Sequence, residues 1–235
     1  MMNRVKSLLA VVLFPAIAAS ASAQVIGHEA TKSPYQDLEY MQELTVYGGH
    51  LRARHDPAGI APLSRPIVGI RYEWTLSGPL AISSDFSGAF GSRHVIDPLK
   101  PAATRSLGDQ SNGVYSLDLA LALNLPGTRS WHGFVPQMRG GIGFVRSGAK
   151  DDSTGFAFGT PFAWVWGGGL KYVPSNTSRI QIRGDITDRI FKLNYTDPYY
   201  RTATDNTTVL PTTTERNFYT HHTAFTIGLS YLFAR

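Results

Sequence analysis

The sequence predicts an all-β chain, an eight-stranded antiparallel up-and-down transmembrane β-barrel preceded by a cleaved signal peptide. Three observations predict it. The first is alternation. In the last strand Phe225, Ile227, Leu229, Tyr231 and Phe233 alternate with Thr226, Gly228, Ser230 and Leu232, and a period of two means a strand with one apolar face. The second is the sorting of connections into long and short. The third is the segregation of charge to one strand face. Alternation alone fits either a soluble sandwich or a membrane barrel, so the other two observations decide.

The chain opens with Arg4 and Lys6, an apolar run over residues 8–19, and Ser20-Ala21-Ser22-Ala23. A basic start, an apolar core and small residues at Ala21 and Ala23 make a signal peptide with its cleavage site. The run is shorter than the ~20 residues a spanning helix needs. Residues 1–23 are therefore assigned to the signal peptide, 24–42 to a periplasmic extension without clear period, and 43–235 to the barrel. The net charge of +5 falls by the two charges of Arg4 and Lys6 when the leader leaves. That balance is too weak to argue for nucleic acid. The absence of Cys removes disulfides, thiolate metal sites and thiol chemistry.

The first strand, 43–53, is ambiguous, because Leu44/Val46 and Tyr47/Leu51 lie on opposite faces; Tyr47, Gly49 and Leu51 are taken as outward. The second sets Val68, Ile70, Tyr72, Trp74 and Leu76 against Gly69, Arg71, Glu73 and Thr75. The third sets Leu80, Ile82, Phe86 and Phe90 against Ala81, Ser83, Asp85 and Ser87. In the fourth, Tyr115, Leu117, Leu119, Leu121 and Leu123 oppose Ser116, Asp118, Ala120 and Ala122. In the fifth, Phe134, Met138, Ile142 and Phe144 oppose Gln137, Arg139, Gly141 and Gly143, with Pro136 weakening the strand's start. The sixth has Phe162, Trp164, Trp166, Leu170 and Tyr172 against Ala163, Gly167, Gly169 and Lys171. The seventh has Ile180, Ile182 and Ile186 against Gln181, Arg183, Asp185 and Thr187, and the eighth closes the set.

The connections are 54–65, 77–79, 91–112, 124–131, 147–160, 174–178 and 188–216. They alternate long and short, so every long one falls at the same end of a meander. Bacterial outer-membrane barrels have this asymmetry, with short periplasmic turns and longer external loops. The ionisable residues of the second to eighth strands, Arg71, Glu73, Asp85, Asp118, Arg139, Lys171, Arg183 and Asp185, all fall on the polar face. A charge on the lipid face costs about 2–4 kcal/mol for Arg or Lys at mid-bilayer. The polar face then lines a lumen that eight strands leave just wide enough for side chains. Buried charges need partners, and symmetry about Gly78 sets Arg71 opposite Asp85. Trp74, Trp164, Trp166 and Tyr172 lie on the apolar face, where Trp and Tyr favour the membrane interface.

No motif for chemistry stands out. The pair His221-His222 lacks the further ligands of a metal site and reads as solvated strand-end histidines. His28-Glu29 has no second His at metalloprotease spacing, and Asp151-Asp152 reads as a solvated loop tip. The glycine runs at 140–143 and 167–169 are not phosphate loops and read as room for curvature or for larger neighbours. The sequons at Asn176, Asn194 and Asn206 carry no weight in a bacterial barrel.

Thr226-Ile227-Gly228-Leu229-Ser230-Tyr231-Leu232-Phe233 resembles the C-terminal assembly signal of outer-membrane barrels, with Thr226, Gly228, Tyr231 and Phe233 at its marked positions. Together with the leader, the eight strands and residues 180–185, the chain resembles the outer membrane protein A-like or X-like eight-stranded β-barrel superfamily over about residues 43–233. Ala234 and Arg235 follow Phe233, where the family normally ends on the aromatic. The resemblance implies insertion by the barrel-assembly machinery and both termini in the periplasm of a Gram-negative-type cell. The expectation is a non-enzymatic monomer without a cofactor, with a side-chain-filled lumen and long extracellular loops, contacting outer-membrane lipids and lipopolysaccharide and serving envelope structure or surface interaction. The alternatives are a narrow porin-like channel for small solutes and a lipid A-modifying rim enzyme built from His221, His222 and nearby Ser. Replacing Phe233 with Asp is expected to abolish membrane insertion, read as loss of the heat-modifiable band in the membrane fraction.

Overall fold

Eight long strands close into an antiparallel barrel in the computed structural model, which describes residues 33–148, 159–175 and 177–233. In chain order the strands are β1 (Tyr35–Asp37), β2 (Gln42–Ala53), β3 (Arg65–Ser77), β4 (Leu80–Ile96), β5 (Ser106–Asn124), β6 (Arg129–Trp131), β7 (Phe134–Ser147), β8 (Phe162–Tyr172), β9 (Ile180–Asn194) and β10 (Asn217–Phe233). Each long strand pairs with its chain neighbour, and β10 pairs with β2 to close the ring. Closure leaves no free sheet edge among the barrel strands. The expected signal peptide with Ala21 and Ala23, residues 24–32 of the extension, Asp151-Asp152, Asn176 and Ala234-Arg235 lie outside the described residues.

The alternation has its physical result on the outside. Val68, Ile70, Trp74, Phe86, Leu117, Leu119, Leu121, Ile182, Ile227 and Leu229 are all exposed. Soluble monomers rarely expose apolar patches above a few hundred Å²; here the apolar surface circles the barrel. The run from Tyr115 to Leu123 on β5 rises about 20 Å at ~3.4 Å per residue with the usual tilt, close to the height of a lipid-facing band. Aromatic rings collect at both ends of this band. Toward the short connections Tyr72 and Phe233 lie 6.3 Å apart, Phe134 and Tyr172 5.0 Å, with Trp74 beside them. Toward the long connections Phe90 meets Tyr115 at 6.0 Å and Phe162 meets Trp164 at 5.3 Å. Trp166 follows on the same face, one step nearer the middle.

Three features differ from the sequence expectation. The face of β2 is reversed: Leu44 and Val46 are exposed, whereas Tyr47 and Leu51 are buried. Tyr47 turns inward because its hydroxyl finds the Asp85 carboxylate at 2.6 Å. Two long connections are shorter than expected, because β4 and β5 continue as a paired hairpin to Ile96 and Ser106, and β9 runs on to Asn194. Their polar residues hid strand continuation. Within the periodless extension, β1 pairs with β6 in the β5–β7 connection, with Tyr35 opposite Trp131. From there the chain crosses the short-connection mouth: the Leu38 N–H donates to the Thr128 carbonyl, and the Thr75 N–H donates to the Met41 carbonyl. A cavity of about 170 Å³ lies under this strap, lined in part by Glu43, Glu73, Lys171, Val135 and Leu232.

Leu119→Arg, at the middle of the outward run, is expected to cost about 2–4 kcal/mol of folding free energy in lipid. The check is the urea midpoint in lipid vesicles, compared with Leu119→Ala.

Candidate functional site: the charged lumen

Each strand contributes its inward residues to one continuous network. Near the strap, Lys171 Nζ lies 2.7 Å from Glu43 Oε2 and 2.6 Å from Glu73 Oε2. Arg183 Nη1 reaches the same two carboxylates at 2.7 and 2.9 Å. Its Nε pairs with Asp185 Oδ2 at 2.8 Å, and its Nη2 donates to Gln137 Oε1 at 3.0 Å. Ser230 donates to Glu43 Oε1 at 2.8 Å.

The next layer is centred on Asp85. Arg71 Nε pairs with Asp85 Oδ2 at 2.7 Å, and Arg71 Nη1 with Asp185 Oδ2 at 3.0 Å. The Tyr47 hydroxyl donates to Asp85 Oδ1, and the Arg71 guanidinium lies 5.4 Å from the Tyr47 ring centre. Arg139 Nη1 approaches Asp85 at 3.5 Å, and its Nη2 lies 3.9 Å from Asp118. Arg189 Nη2 sits 2.7 Å from Asp118 Oδ2. Two glycines make this geometry possible. A Cβ on Gly143 would strike the Asp118 carboxylate, and one on Gly169 the Asp185 carboxylate.

Beyond Arg189 the inward face turns largely apolar, with Arg65 buried among it and donating to the Leu63, Ser92 and Asn112 carbonyls. Leu51, Ile67, Ala89, Val114, Val145, Phe191 and Leu193 form one buried cluster, joined by Ala61 from the β2–β3 connection. Above it Ile60, Ile96, Tyr195, Tyr199 and Leu210 form a second. Asp56 accepts from the Ala58 and Ala61 N–H groups and from the Tyr195 hydroxyl at 2.8 Å, tying the first and last long connections together. Burial and the adjoining Asp56 carboxylate push the Tyr195 phenol well above its ordinary range.

Arg71, Glu73, Asp85, Asp118, Arg139, Lys171, Arg183 and Asp185 are thus brought together on one buried surface. Sequence reasoning missed Glu43, Arg189 and Tyr47. Glu43 and Tyr47 were lost with the face of β2. Arg189 was placed in a loop, although the parity of Gln181, Arg183, Asp185 and Thr187 carries on to it. With both added, acids and bases within the ion-pair network remain equal in number, while Arg65 and Arg93 lie inward beyond it. The paired histidines separate. His221 faces outward, with Nδ1 2.7 Å from Asp188 Oδ2. His222 is buried against the Phe191 ring at 4.6 Å, not solvated as expected, because β9 and β10 extend past it. Of the closing motif, Tyr231 faces outward with its ring 6.2 Å from that of Phe233, the last described residue, and Thr226 and Gly228 share the inward side of β10.

No protein-family model matches the sequence, and no curated protein matches it. Solved structures do. Neisserial surface protein A aligns with a TM-score of 0.50 and 12% identity, covering 82% of this chain and 97% of that one. The fold is that of an outer-membrane-type β-barrel. Outer membrane protein OprG from Pseudomonas aeruginosa aligns at 0.47 and 13% identity, over 83% of this chain and 98% of its own. At such identities the likeness concerns the barrel and no residue of its lumen.

Removing one member of an outer-membrane-type barrel's buried ion network leaves its partners buried with a counter-charge too few. Asp85→Ala is expected to destabilise by about 3–5 kcal/mol, and Gly169→Ala by about 1–3 kcal/mol through overpacking. Both are read from urea midpoints in micelles, with Ser84→Ala on the outward face as the control.

Proposed function

We propose that the chain is a monomeric integral outer-membrane protein of a Gram-negative-type bacterium, with a lumen filled by side chains, and that its work is done on its outer surface, in envelope structure or surface interaction. The lumen supports this reading most directly: its ion-pair network matches each acid to a base within ion-pair distance, and a largely apolar buried layer lies above it, in which Arg65 donates to main-chain carbonyls. A conducting pore needs a wetted path, and an apolar layer that buries Phe191 and Leu193 opposes one. The network also argues against lumen chemistry, since each acid is held by cations and carries no freedom to exchange protons with a substrate.

The partners follow from the outside. Acyl chains would contact the band from Tyr115 to Leu123 and its equivalents, with Trp74, Trp164, Trp166 and Tyr172 as interface anchors. Beyond the band, exposed Arg52 and half-buried Lys192 on the outward face would meet lipopolysaccharide phosphates. The closing motif would be read by the barrel-assembly machinery. The leader would deliver the chain to that machinery.

Conductance in planar bilayers tests the reading. The folded protein is expected to give no stepwise current up to the voltage at which the bilayer itself fails. Regular single-channel steps from the intact chain would replace this reading with the narrow channel.

A further inference from the structure

The protruding part of the β4–β5 hairpin carries a Ser-His-Asp relay that the lumen does not use. Asp109 lies directly opposite His94 in the antiparallel register. Its Oδ1 is 2.9 Å from His94 Nδ1, and Ser106 Oγ is 3.1 Å from His94 Nε2. Ser106 occupies a register irregularity, where Val95 pairs with Gly108 and Ile96 with Ser106, leaving Leu107 over. Such bulges re-aim a side chain, and they recur beside active sites. The irregularity brings Ser106 diagonally onto the imidazole. Gly108, at φ 89°, donates its N–H to Ser106 Oγ at 3.4 Å.

We propose that Ser106, His94 and Asp109 form a hydrolytic site for carboxylic esters of amphiphiles presented at the edge of the apolar band. Asp109 fixes the imidazole with its proton on Nδ1, so Nε2 is free to accept the Ser106 proton. Ser106 Oγ then attacks the ester carbonyl carbon. The Gly108 N–H, which donates to Ser106 Oγ before reaction, is the main-chain donor that would turn to the oxyanion as it forms. The intermediate collapses with cleavage of the ester C–O bond, His94 gives its proton to the leaving alkoxide, and the alcohol departs. Water attacks the acyl-serine while His94 takes its proton. Release of the carboxylic acid returns that proton to Ser106 Oγ. Ester and water become acid and alcohol, with no other reactant.

Position selects the substrate class. His94 lies on the same outward face of β4 as Phe86 and Phe90, four residues or about 13 Å along the strand past the Phe90–Tyr115 aromatic pair at the band's edge. Leu107 is exposed next to Ser106, and Leu99 is exposed in the connection beyond, so an acyl chain leaving the membrane has apolar surface to follow. That the ester is a membrane amphiphile rests on the lipid-facing reading of the band; the hydrolytic relay itself does not.

The test uses the full chain folded in detergent micelles, with heat-modifiable migration as proof of folding. A fluorophosphonate probe is expected to label the protein, and Ser106→Ala to lose the label completely. His94→Gln and Asp109→Asn should lower labelling and p-nitrophenyl laurate hydrolysis about 100-fold or more, while Ser111→Ala on the same face keeps both. Folded protein that resists the probe, or Ser106→Ala that still labels, overturns the site. Turnover of soluble p-nitrophenyl acetate with none of the micellar laurate overturns the amphiphile assignment and leaves the proposed membrane location to be judged by fractionation.

Discussion

An eight-stranded barrel has room inside for side chains and little else, so every charge kept off the lipid face must find its counter-charge across the lumen. That constraint orders the interior. Arg183 alone reaches Glu43 on β2, Glu73 on β3 and Asp185 on its own strand, and Arg71 links β3 to β4 and β9. These bonds cross the barrel, whereas the main-chain ladder runs only around it. In a low-dielectric interior an ion pair is a weak source of net stability but a strong penalty on any arrangement that breaks it. The network therefore acts mainly on register. Sliding one strand by a residue would turn its charges to lipid and strand their partners.

The same crowding explains residues that look featureless. Gly143 and Gly169 stand where Asp118 and Asp185 need space, and Gly69 stands under the Tyr47 ring. A strand interior normally loses stability from glycine. Here the loss is offset by the room given to a charged or phenolic neighbour. The glycines and the ion pairs are parts of one packing solution, and neither is intelligible without the other.

What was legible in the sequence follows from the same physics. Where lipid contact demands one uniform face, as in β3, β5 and β8, alternation reads directly. It fails where both faces are apolar. Tyr47 and Leu51 are inward for different reasons, a hydroxyl partner in Asp85 and a place in the apolar layer near Phe191, and neither reason is local to β2. It fails again above the membrane, where lipid no longer imposes a pattern. The polar stretch around Asp109 and Gln110 looks like a loop, yet pairs residue for residue with β4. Glu43 and the relay at His94 were lost at these two kinds of position, and Arg189 where Asp188 interrupts the apolar face of β9.

The division between lumen and rim carries a functional consequence. Lumen side chains are held by several partners each, so moving one disturbs the rest, and a substrate arriving there would have to displace ion pairs from both sides. His94, Ser106 and Asp109 are tied to one another and little else, at the part of the barrel that lipid does not constrain. His94 and Asp109 remain open to solvent, with side chains 36% and 58% exposed, so a ligand can reach them without dismantling the network below. Rigid strands position the three groups, as a site built on paired strands requires, and the locked lumen keeps those strands in register. In the proposed relay, the barrel's interior would serve chemistry at its rim by holding still.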